Sequence, residues 1–363
     1  MTGIDVCGRI LENDIADGVI HGAAVIAGSA YGATVRANWG WADPAHAIPM
    51  STNTIIDVAS VTKVAAGITA YLVVHAKGGV DFDAPFTDFL HEYSSPLAHR
   101  ITLRDLANHV SGFGEADGWP YSFFDPADPQ RTLRLVLSLP PGEPVPGKVA
   151  YSCRNYVLLA QCFERLSGRG VAEFCASEIF GPAGMEDTTL GTLSPGMPKE
   201  RLAYTMTAPG PGEISDFLAR PLWKAGFGTF NAGLFSTAED LATLMRLYLR
   251  GGVCNNGTRL FGETEMAEIA PNPANRVDGA RHFGWQSFSP LLPQEFAGSA
   301  LFHTGWSGQT VLFDTSRDFF AVVVTTRCGD YDRAKHDRFA AISALLRSHK
   351  QTDTFNQFSK DNS

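Results

Sequence analysis

The chain has 363 residues, of which 44% are hydrophobic and 18% are charged, and its formal net charge is −9. This length allows one or two domains, and the composition excludes wholesale disorder. Mild acidity without a cluster of Lys or Arg argues against a nucleic-acid partner.

The N-terminus lacks the basic and apolar regions of a secretory signal peptide. We find no window as long and as apolar as a membrane span, so no membrane partner is expected. The cysteines are scattered, with neither a CxxC pair nor zinc-like spacing, as is typical of free thiols in a reducing compartment. We therefore expect a cytoplasmic protein, and its motifs imply neither a metal nor an organic cofactor.

The first predicted elements are a helix and a hairpin. Residues 4–17 place apolar side chains at helical spacing, and residues 22–27 and 33–41 read as two short strands around a Gly-containing turn. Residues 61–75 are apolar on nearly all sides, which predicts a helix buried in the centre of the protein. From about 80 to 200, helical patterns alternate with Pro/Gly loops.

Strand patterns return near the C-terminus. Three β-rich stretches, the last two joined by a polar turn, precede an amphipathic helix at 333–348. The three stretches are residues 299–303, 309–313 and 319–325. Strands and helices at the two chain ends therefore enclose a helical middle.

This order of elements predicts an α/β (α+β) fold, in which an antiparallel sheet flanked by helices is built from both chain ends. We assign residues 1–75 and 205–350 to the sheet domain and residues 76–204 to an inserted all-helical domain. Residues 351–363 are polar and read as a loose tail. The active site is expected in the cleft between the two domains.

The sharpest chemical signal is Ser60-Val61-Thr62-Lys63. In a helix, residues i and i+3 share a face, so the Lys63 amine would reach the Ser60 hydroxyl. A serine becomes nucleophilic when a neighbouring group takes its proton, and N–H groups at a helix N-terminus suit a developing oxyanion. Such patterns also occur by chance, but a lysine at the start of an apolar helix is costly without a partner.

A second motif is Tyr151-Ser152-Cys153, at the start of a predicted helix. A phenol can act as a general base when nearby cations favour its ionised form, and Lys63 is a candidate for such a cation. The same residues also fit a tyrosine packed at a helix start, with Ser152 as the helix cap.

A third motif, His303-Thr304-Gly305-Trp306, ends a predicted strand. Gly305 allows the backbone to pass close to a ligand. The backbone N–H of Trp306 would then face the cleft and form an oxyanion hole with that of Ser60. The alternative is a strand that ends in an ordinary turn.

The order of the three motifs resembles the serine β-lactamase and penicillin-binding-protein superfamily. The closest likeness is to its class C β-lactamase-like branch, which includes esterases, D-amino-acid amidases and peptidases, and acyltransferases. Five stretches in the same order carry this resemblance: DVASVTK, ITLRDLANHVSGF, IFGPAGMEDT, NAGLFSTAEDL and FHTGWSGQT.

The resemblance implies the fold described above and an acyl-enzyme formed on Ser60. It also implies that Lys63 and Tyr151 share the proton transfer and that the N–H groups of Ser60 and Trp306 hold the oxyanion. It leaves open which of Lys63 and Tyr151 is the general base.

Two positions depart from the family pattern. Cys153 stands where many β-lactamases of this branch carry an Asn that helps to hold the substrate, and a thiol is a poor hydrogen-bond partner. His303 replaces the usual Lys, and a histidine is mostly neutral at pH 7. Both changes favour an ester or a simple amide over β-lactams or cell-wall peptides. The predicted substrate-binding residues are Cys153, His303, Thr304, Gly305 and Trp306.

We therefore predict a serine hydrolase that acts on a small carboxylic ester or amide. The alternatives are an acyltransferase that passes the acyl group to an amine or alcohol, a D-aminopeptidase or β-lactamase, and a non-catalytic binding protein on the same fold. No oligomeric state is predicted.

Three other features bear on the site. His109 is not expected to complete a catalytic triad, because its segment resembles a structural turn of the family. No serine lies in the G-x-S-x-G elbow of α/β-hydrolases. Four aromatic residues fit either an apolar substrate pocket or the packing of a loop: Trp119, Tyr121, Phe123 and Phe124.

Overall fold

The computed structural model describes residues 2–93, 95–113, 127–138, 140–143, 148–193 and 197–360, with side chains up to residue 349. The predicted aromatic cluster lies outside the described residues. That cluster comprises Trp119, Tyr121, Phe123 and Phe124.

The strands form two sheets. Those of the described residues are β1 (Ile20–Ser29), β2 (Gly32–Asp43), β3 (Ile48–Pro49), β4 (Ile56–Asp57), β5 (Thr189–Leu190), β6 (Leu234–Ser236), β7 (Arg281–His282), β8 (Trp285–Gln286), β9 (Leu301–Gly305), β10 (Gln309–Asp314) and β11 (Phe319–Arg327). The larger sheet has the order β3-β2-β1-β11-β10-β9-β8-β7 with antiparallel neighbours, and the smaller has the order β4-β6-β5. The predicted antiparallel sheet is confirmed.

The helices cover both faces of the larger sheet and fill the middle of the chain. In the described part they are α1 (Gly3–Ala16), α2 (Thr69–Ala76), α3 (Leu103–Ala107), α4 (Pro129–Ser138), α5 (Cys153–Ser167), α6 (Val171–Cys175), α7 (Gly181–Ala183), α8 (Ala219–Lys224), α9 (Ala238–Leu249), α10 (Glu263–Glu268) and α11 (Tyr331–Lys360). The short strand β5 also lies within residues 76–204, the segment predicted to be all-helical.

The two chain ends meet in the centre of the larger sheet, where β1 pairs with β11 and Val25 lies opposite Val323. Successive side chains of a strand point to opposite faces. Ala24 and Ile26 accordingly join the core that includes α9, whereas Val25 joins the core with α1 and α11. This alternation explains why both faces of β1 are buried and covered by helices.

The last helix is longer than the sequence predicted. It runs from Tyr331 to Lys360, so residues 351–360 continue the helix instead of forming a loose tail. The stretch 331–360 contains no Gly or Pro to end a helix. Polarity alone was therefore a poor guide to where this element stops.

The central helical run begins at Ala59, in place of the single helix predicted for residues 61–75. Residues Ala59–Val61 form a 3-10 turn and Lys63–Ile68 form a π-helix, and α2 then follows. The stretch Ala59–Ala76 has a mean hydropathy of 1.3 over 18 residues, so the expectation of no window that apolar and long was wrong. The fold buries 78% of this stretch inside the protein, as expected for the core helix of a folded domain.

Candidate active site

Ser60 lies on a strained turn directly after β4. The preceding residue, Ala59, has a φ of 47°, in the left-handed region that side chains other than glycine rarely adopt. The Asp57 carboxylate fixes this turn, because Oδ1 accepts the Ala59 N–H at 2.9 Å. Its Oδ2 accepts both the N–H and the hydroxyl of Ser215, at 2.7 and 2.6 Å. Burial raises the pKa of Asp57, and the bonds from Ser215 oppose that shift.

The structure brings Ser60, Lys63 and Tyr151 together. The Tyr151 hydroxyl lies 2.8 Å from Ser60 Oγ, and Lys63 Nζ donates to the same oxygen at 3.0 Å. Lys63 is fully buried and also donates to the Asn231 carbonyl at 2.8 Å and to Cys153 Sγ at 3.6 Å. These three acceptors match the three hydrogens of an ammonium group.

The carbonyl that holds Lys63 is itself fixed by a polar contact. The Asn231 side-chain Nδ2 donates to Asp216 Oδ1 at 3.0 Å. The same oxygen accepts the backbone N–H groups of Leu218 and Ala219, at 3.0 and 2.7 Å, where α8 begins. Sequence analysis missed Asn231 as a site residue, although it opens the quoted stretch NAGLFSTAEDL.

His109 lies behind Tyr151, with the two ring centroids 4.5 Å apart. Its Nδ1 accepts the Ser152 N–H and faces the Asn155 side-chain Nδ2, both at 3.2 Å. Burial lowers the pKa of His109 well below its usual value, so the ring is neutral. His109 thus supports the start of α5 and the Tyr151 ring. Ser152 occupies the N-cap position of α5 without a capping hydrogen bond from its side chain.

His303 on β9 is 2% exposed. Its Nδ1 hydrogen-bonds the Thr304 carbonyl at 3.0 Å, which places the ring proton on Nδ1. Its buried Nε2 has no hydrogen-bond partner among the described residues. Burial lowers the pKa of His303 well below its usual value, and the charges of Arg281 and Lys63 add to that effect. The third motif therefore presents a neutral imidazole and not a cation.

Gly305 allows β9 to lie directly against the segment that leads to Ser60. A Cβ atom at this position would lie 2.6 Å from the Val58 carbonyl oxygen and 2.4 Å from Gln309 Oε1. Only glycine permits this approach without a shift of the backbone. The close packing places Trp306, the next residue, at the same cleft as Ser60.

The cleft has a volume of about 710 Å³. Most of the predicted site residues line it, whereas Lys63 is buried and bonded to Ser60, and Gly305 lies between the lining residues Thr304 and Trp306. The predicted residues that line it are Ser60, Tyr151, Cys153, His303, Thr304 and Trp306. The structure adds Asp216, Phe217, Arg281 and Lys335.

Arg281 on β7 is a charged residue close to Tyr151 that the sequence did not predict as part of the site. Its guanidinium carbon lies 5.5 Å from the centroid of the Tyr151 ring. Its Nη1 donates to the Gly284 carbonyl at 3.0 Å, and its buried Nε has no partner within the described part of the chain. No motif marks this arginine, because a strand of two residues has no periodicity to read.

Trp306 and Phe217 give the cleft an apolar mouth. Each side chain is 50% exposed. The Arg327 guanidinium lies 4.5 Å from the Trp306 ring, and that of Arg220 lies 5.5 Å from the Phe217 ring. Trp306 also stacks on Tyr331, with centroids 5.0 Å apart. These contacts hold two half-exposed aromatic rings at the entrance.

Metal-binding side chains do not cluster in the part of the chain that the structure describes. Within it, no group of three or more His, Cys, Asp or Glu residues is arranged to hold a metal ion. None of the six cysteines forms a disulfide.

Comparison with known proteins identifies the family. The Beta-lactamase family model matches residues 8–346. The chain belongs to the beta-lactamase family. The superfamily predicted from the three motifs is therefore confirmed, and its members include serine hydrolases with esterase, amidase and β-lactamase activity.

Several solved structures share the fold of this beta-lactamase family member. A class C β-lactamase from Rhodobacter sphaeroides has a TM-score of 0.72 and 19% identity, over 94% of this chain and 99% of that one. A family VIII carboxylesterase has a TM-score of 0.70 and 19% identity, over 95% and 98%. The D-amino acid amidase of Ochrobactrum anthropi SV3 has a TM-score of 0.71 and 23% identity, over 97% and 99%.

Proposed function

We propose that this beta-lactamase family member hydrolyses a small carboxylic ester through an acyl-enzyme on Ser60, with a simple amide as the second substrate class. One observation carries the proposal: Ser60 Oγ is within hydrogen-bond reach of both the Tyr151 hydroxyl and Lys63 Nζ at the floor of a cleft. A positioned base next to a serine hydroxyl is what nucleophilic catalysis requires.

The contacts of Lys63 favour Tyr151 as the base. As an ammonium that donates to Ser60, Cys153 and Asn231, Lys63 would have no lone pair with which to take a proton. Tyr151, as the phenolate, would take the Ser60 proton while Oγ bonds to the substrate carbonyl carbon. The same proton would then pass to the leaving alcohol, and a water molecule would repeat the sequence to release the acid.

The N–H groups of Ser60 and Trp306 are proposed to hold the oxyanion. The tight approach of β9 to Val58 at Gly305 supports this assignment, because it brings the two residues to one cleft. Two backbone donors that are fixed before the substrate arrives stabilise the negative charge as it develops.

The side chains of the cleft favour an ester with an apolar substituent. Cys153 offers a thiol where the class C branch carries an amide-binding Asn, and His303 is neutral. Neither side chain would hold a β-lactam or a peptide as those families do. The half-exposed rings of Trp306 and Phe217 offer apolar surface, and a volume of about 710 Å³ accommodates more than an acetyl ester.

The test is hydrolysis of p-nitrophenyl esters by the purified protein. We expect Ser60→Ala to lower kcat/KM by at least about a thousandfold. Ser138→Ala, an exposed serine on α4, is the matched control and should retain the activity. A fluorophosphonate probe should label Ser60, and full activity of Ser60→Ala would refute the mechanism. Added amine acceptors, with products followed by mass spectrometry, would reveal acyl transfer.

A further inference from the structure

Arg281, like Lys63, lies close to the ring of the proposed base, Tyr151. Its guanidinium carbon lies 5.5 Å from the centroid of the Tyr151 ring, and Lys63 Nζ lies 5.0 Å from the same centroid. Burial lowers the pKa of Arg281, and the groups that oppose this shift are the phenols of Tyr156 and Tyr151, not a carboxylate. A guanidinium keeps its proton in proteins, so this charge is permanent.

The other polar groups around Tyr151 come from several elements. Close to it are Ser60 and Lys63 from the central helical run, His109 after α3, Tyr156 on α5 and Arg281 on β7. Other titratable groups line the same cleft as Tyr151: Cys153, Asp216, Asp278, His303, Tyr331 and Lys335. Both histidines are neutral, because burial lowers the pKa of His109 and of His303 well below the usual value. Lys63 and Arg281 are cations that lie 5.0 and 5.5 Å from the centroid of the phenol ring.

We propose that Arg281 is a positioning residue that stabilises the ionised form of Tyr151, and so supplies the charge that the neutral His303 does not. This inference rests on the proposed function, in which Tyr151 takes the Ser60 proton. In that step the Ser60 O–H bond breaks, the proton moves to the Tyr151 oxygen, and the negative charge passes to the carbonyl oxygen of the substrate. Arg281 neither gains nor loses a proton. It lowers the free energy of the phenolate from which the step begins.

The experiment compares Arg281→Gln with Arg281→Lys in the full chain. Gln keeps a donor for the Gly284 carbonyl but removes the charge, and Lys keeps the charge, so the pair separates electrostatics from packing. The readout is the rate at which a fluorophosphonate probe labels Ser60, measured between pH 5 and pH 9. This rate reports the nucleophilic attack of Ser60 directly and does not depend on knowing the natural substrate.

We expect Arg281→Gln to be labelled at least about tenfold more slowly at pH 7. The half-maximal rate should move to higher pH, with recovery as the pH rises, because less Tyr151 is ionised at a given pH. Arg281→Lys should keep the parent profile within about twofold. If thermal unfolding shows that Arg281→Gln does not fold, Arg281→Met takes its place.

Two outcomes would overturn the inference. A rate that falls equally at every pH in both variants would assign Arg281 a structural role, and an unchanged profile in Arg281→Gln would assign it none. Absence of labelling at Ser60 in the parent protein is a different result, since it would refute the proposed function and this inference with it.

Discussion

The Tyr151 hydroxyl lies 2.8 Å from Ser60 Oγ, although 91 residues separate the two in the chain. The contact joins the N-terminal end of the central helical run to the start of α5. His109, stacked 4.5 Å from the Tyr151 ring, helps to hold the phenol in place. A tyrosine packed only for stability would not need its hydroxyl beside Ser60, the proposed nucleophile. Removal of that hydroxyl therefore tests the proposed role of Tyr151.

Tyr151→Phe should lower kcat/KM for p-nitrophenyl butyrate by about a hundredfold or more, since general base catalysis contributes about that much. The matched control is Tyr71→Phe, which removes a buried hydroxyl that donates to the Leu159 carbonyl at 2.8 Å. That control should lose about 1 kcal/mol of unfolding free energy and keep its activity. Equal activity of Tyr151→Phe and the parent would assign the base to another group.

The neutral state of His303 predicts a pH-dependent stability. Its folded-state pKa is depressed, so below pH 6.5 the unfolded chain binds a proton that the folded protein does not. The stability contributed by the neutral ring is therefore present above pH 6.5 and is lost as the pH falls. At pH 5.5 the loss from this one group is on the order of 1 kcal/mol.

His303→Gln removes this titration and keeps a donor for the Thr304 carbonyl. Urea unfolding of the parent and the variant at pH 7.5 and pH 5.5 gives the difference that belongs to position 303, because the other titrating groups are common to both. We expect the parent to lose on the order of 1 kcal/mol more than the variant on acidification. Parallel losses would mean that His303 titrates normally in the folded protein.

The i, i+3 spacing predicted the contact between Ser60 and Lys63 but not the backbone conformation of the segment that carries them. Ser60 and Lys63 meet as expected for residues i and i+3, although a 3-10 turn and a π-helix replace the α-helix. The left-handed Ala59 gave no signal, because alanine does not mark a positive φ. The Ala59 turn is held by a hydrogen bond to the Asp57 carboxylate. That carboxylate is held in turn by Ser215, which is distant in sequence, so the sequence gives no sign of the contact.

Residues that act from a distance were not predictable from one sequence. Arg281 lies on a strand of two residues and reaches Tyr151 only through the tertiary fold. Asn231 contributes a backbone carbonyl to Lys63, and a carbonyl has no residue-type signal. The sheet was easier, because β1 and β11 contain apolar runs at residues 23–27 and 319–324.

The mouth of the cleft predicts a dependence on substrate size. Trp306→Ala removes a half-exposed ring but leaves the backbone N–H of residue 306. We expect kcat/KM for p-nitrophenyl phenylacetate to fall about tenfold, or about 1.4 kcal/mol of lost apolar contact, while p-nitrophenyl acetate is affected less. Trp41→Ala is the control, since Trp41 is 44% exposed and does not line the cleft. Equal losses on both esters would remove Trp306 from substrate binding.

Substitutions at position 153 test the proposed preference for esters over amides. Cys153 Sγ is 3.6 Å from Lys63 Nζ and lines the cleft, so an asparagine there would present its side-chain amide to a bound substrate. Cys153→Asn should raise the ratio of amide to ester hydrolysis. The Asn side-chain oxygen can accept a hydrogen bond from the N–H of a bound amide, and an ester has no such N–H. A p-nitroanilide and a p-nitrophenyl ester of one acyl group measure that ratio directly.

The control for this change is Cys153→Ala, which removes the contact of the thiol with Lys63 without adding an amide. It should lower or preserve both rates together and leave their ratio unchanged. A ratio that rises equally in Cys153→Ala and Cys153→Asn would show that the thiol itself disfavours amides, through its contact with Lys63 Nζ. An unchanged ratio in both variants would mean that the preference for esters is set elsewhere in the cleft, with His303 as the next position to test.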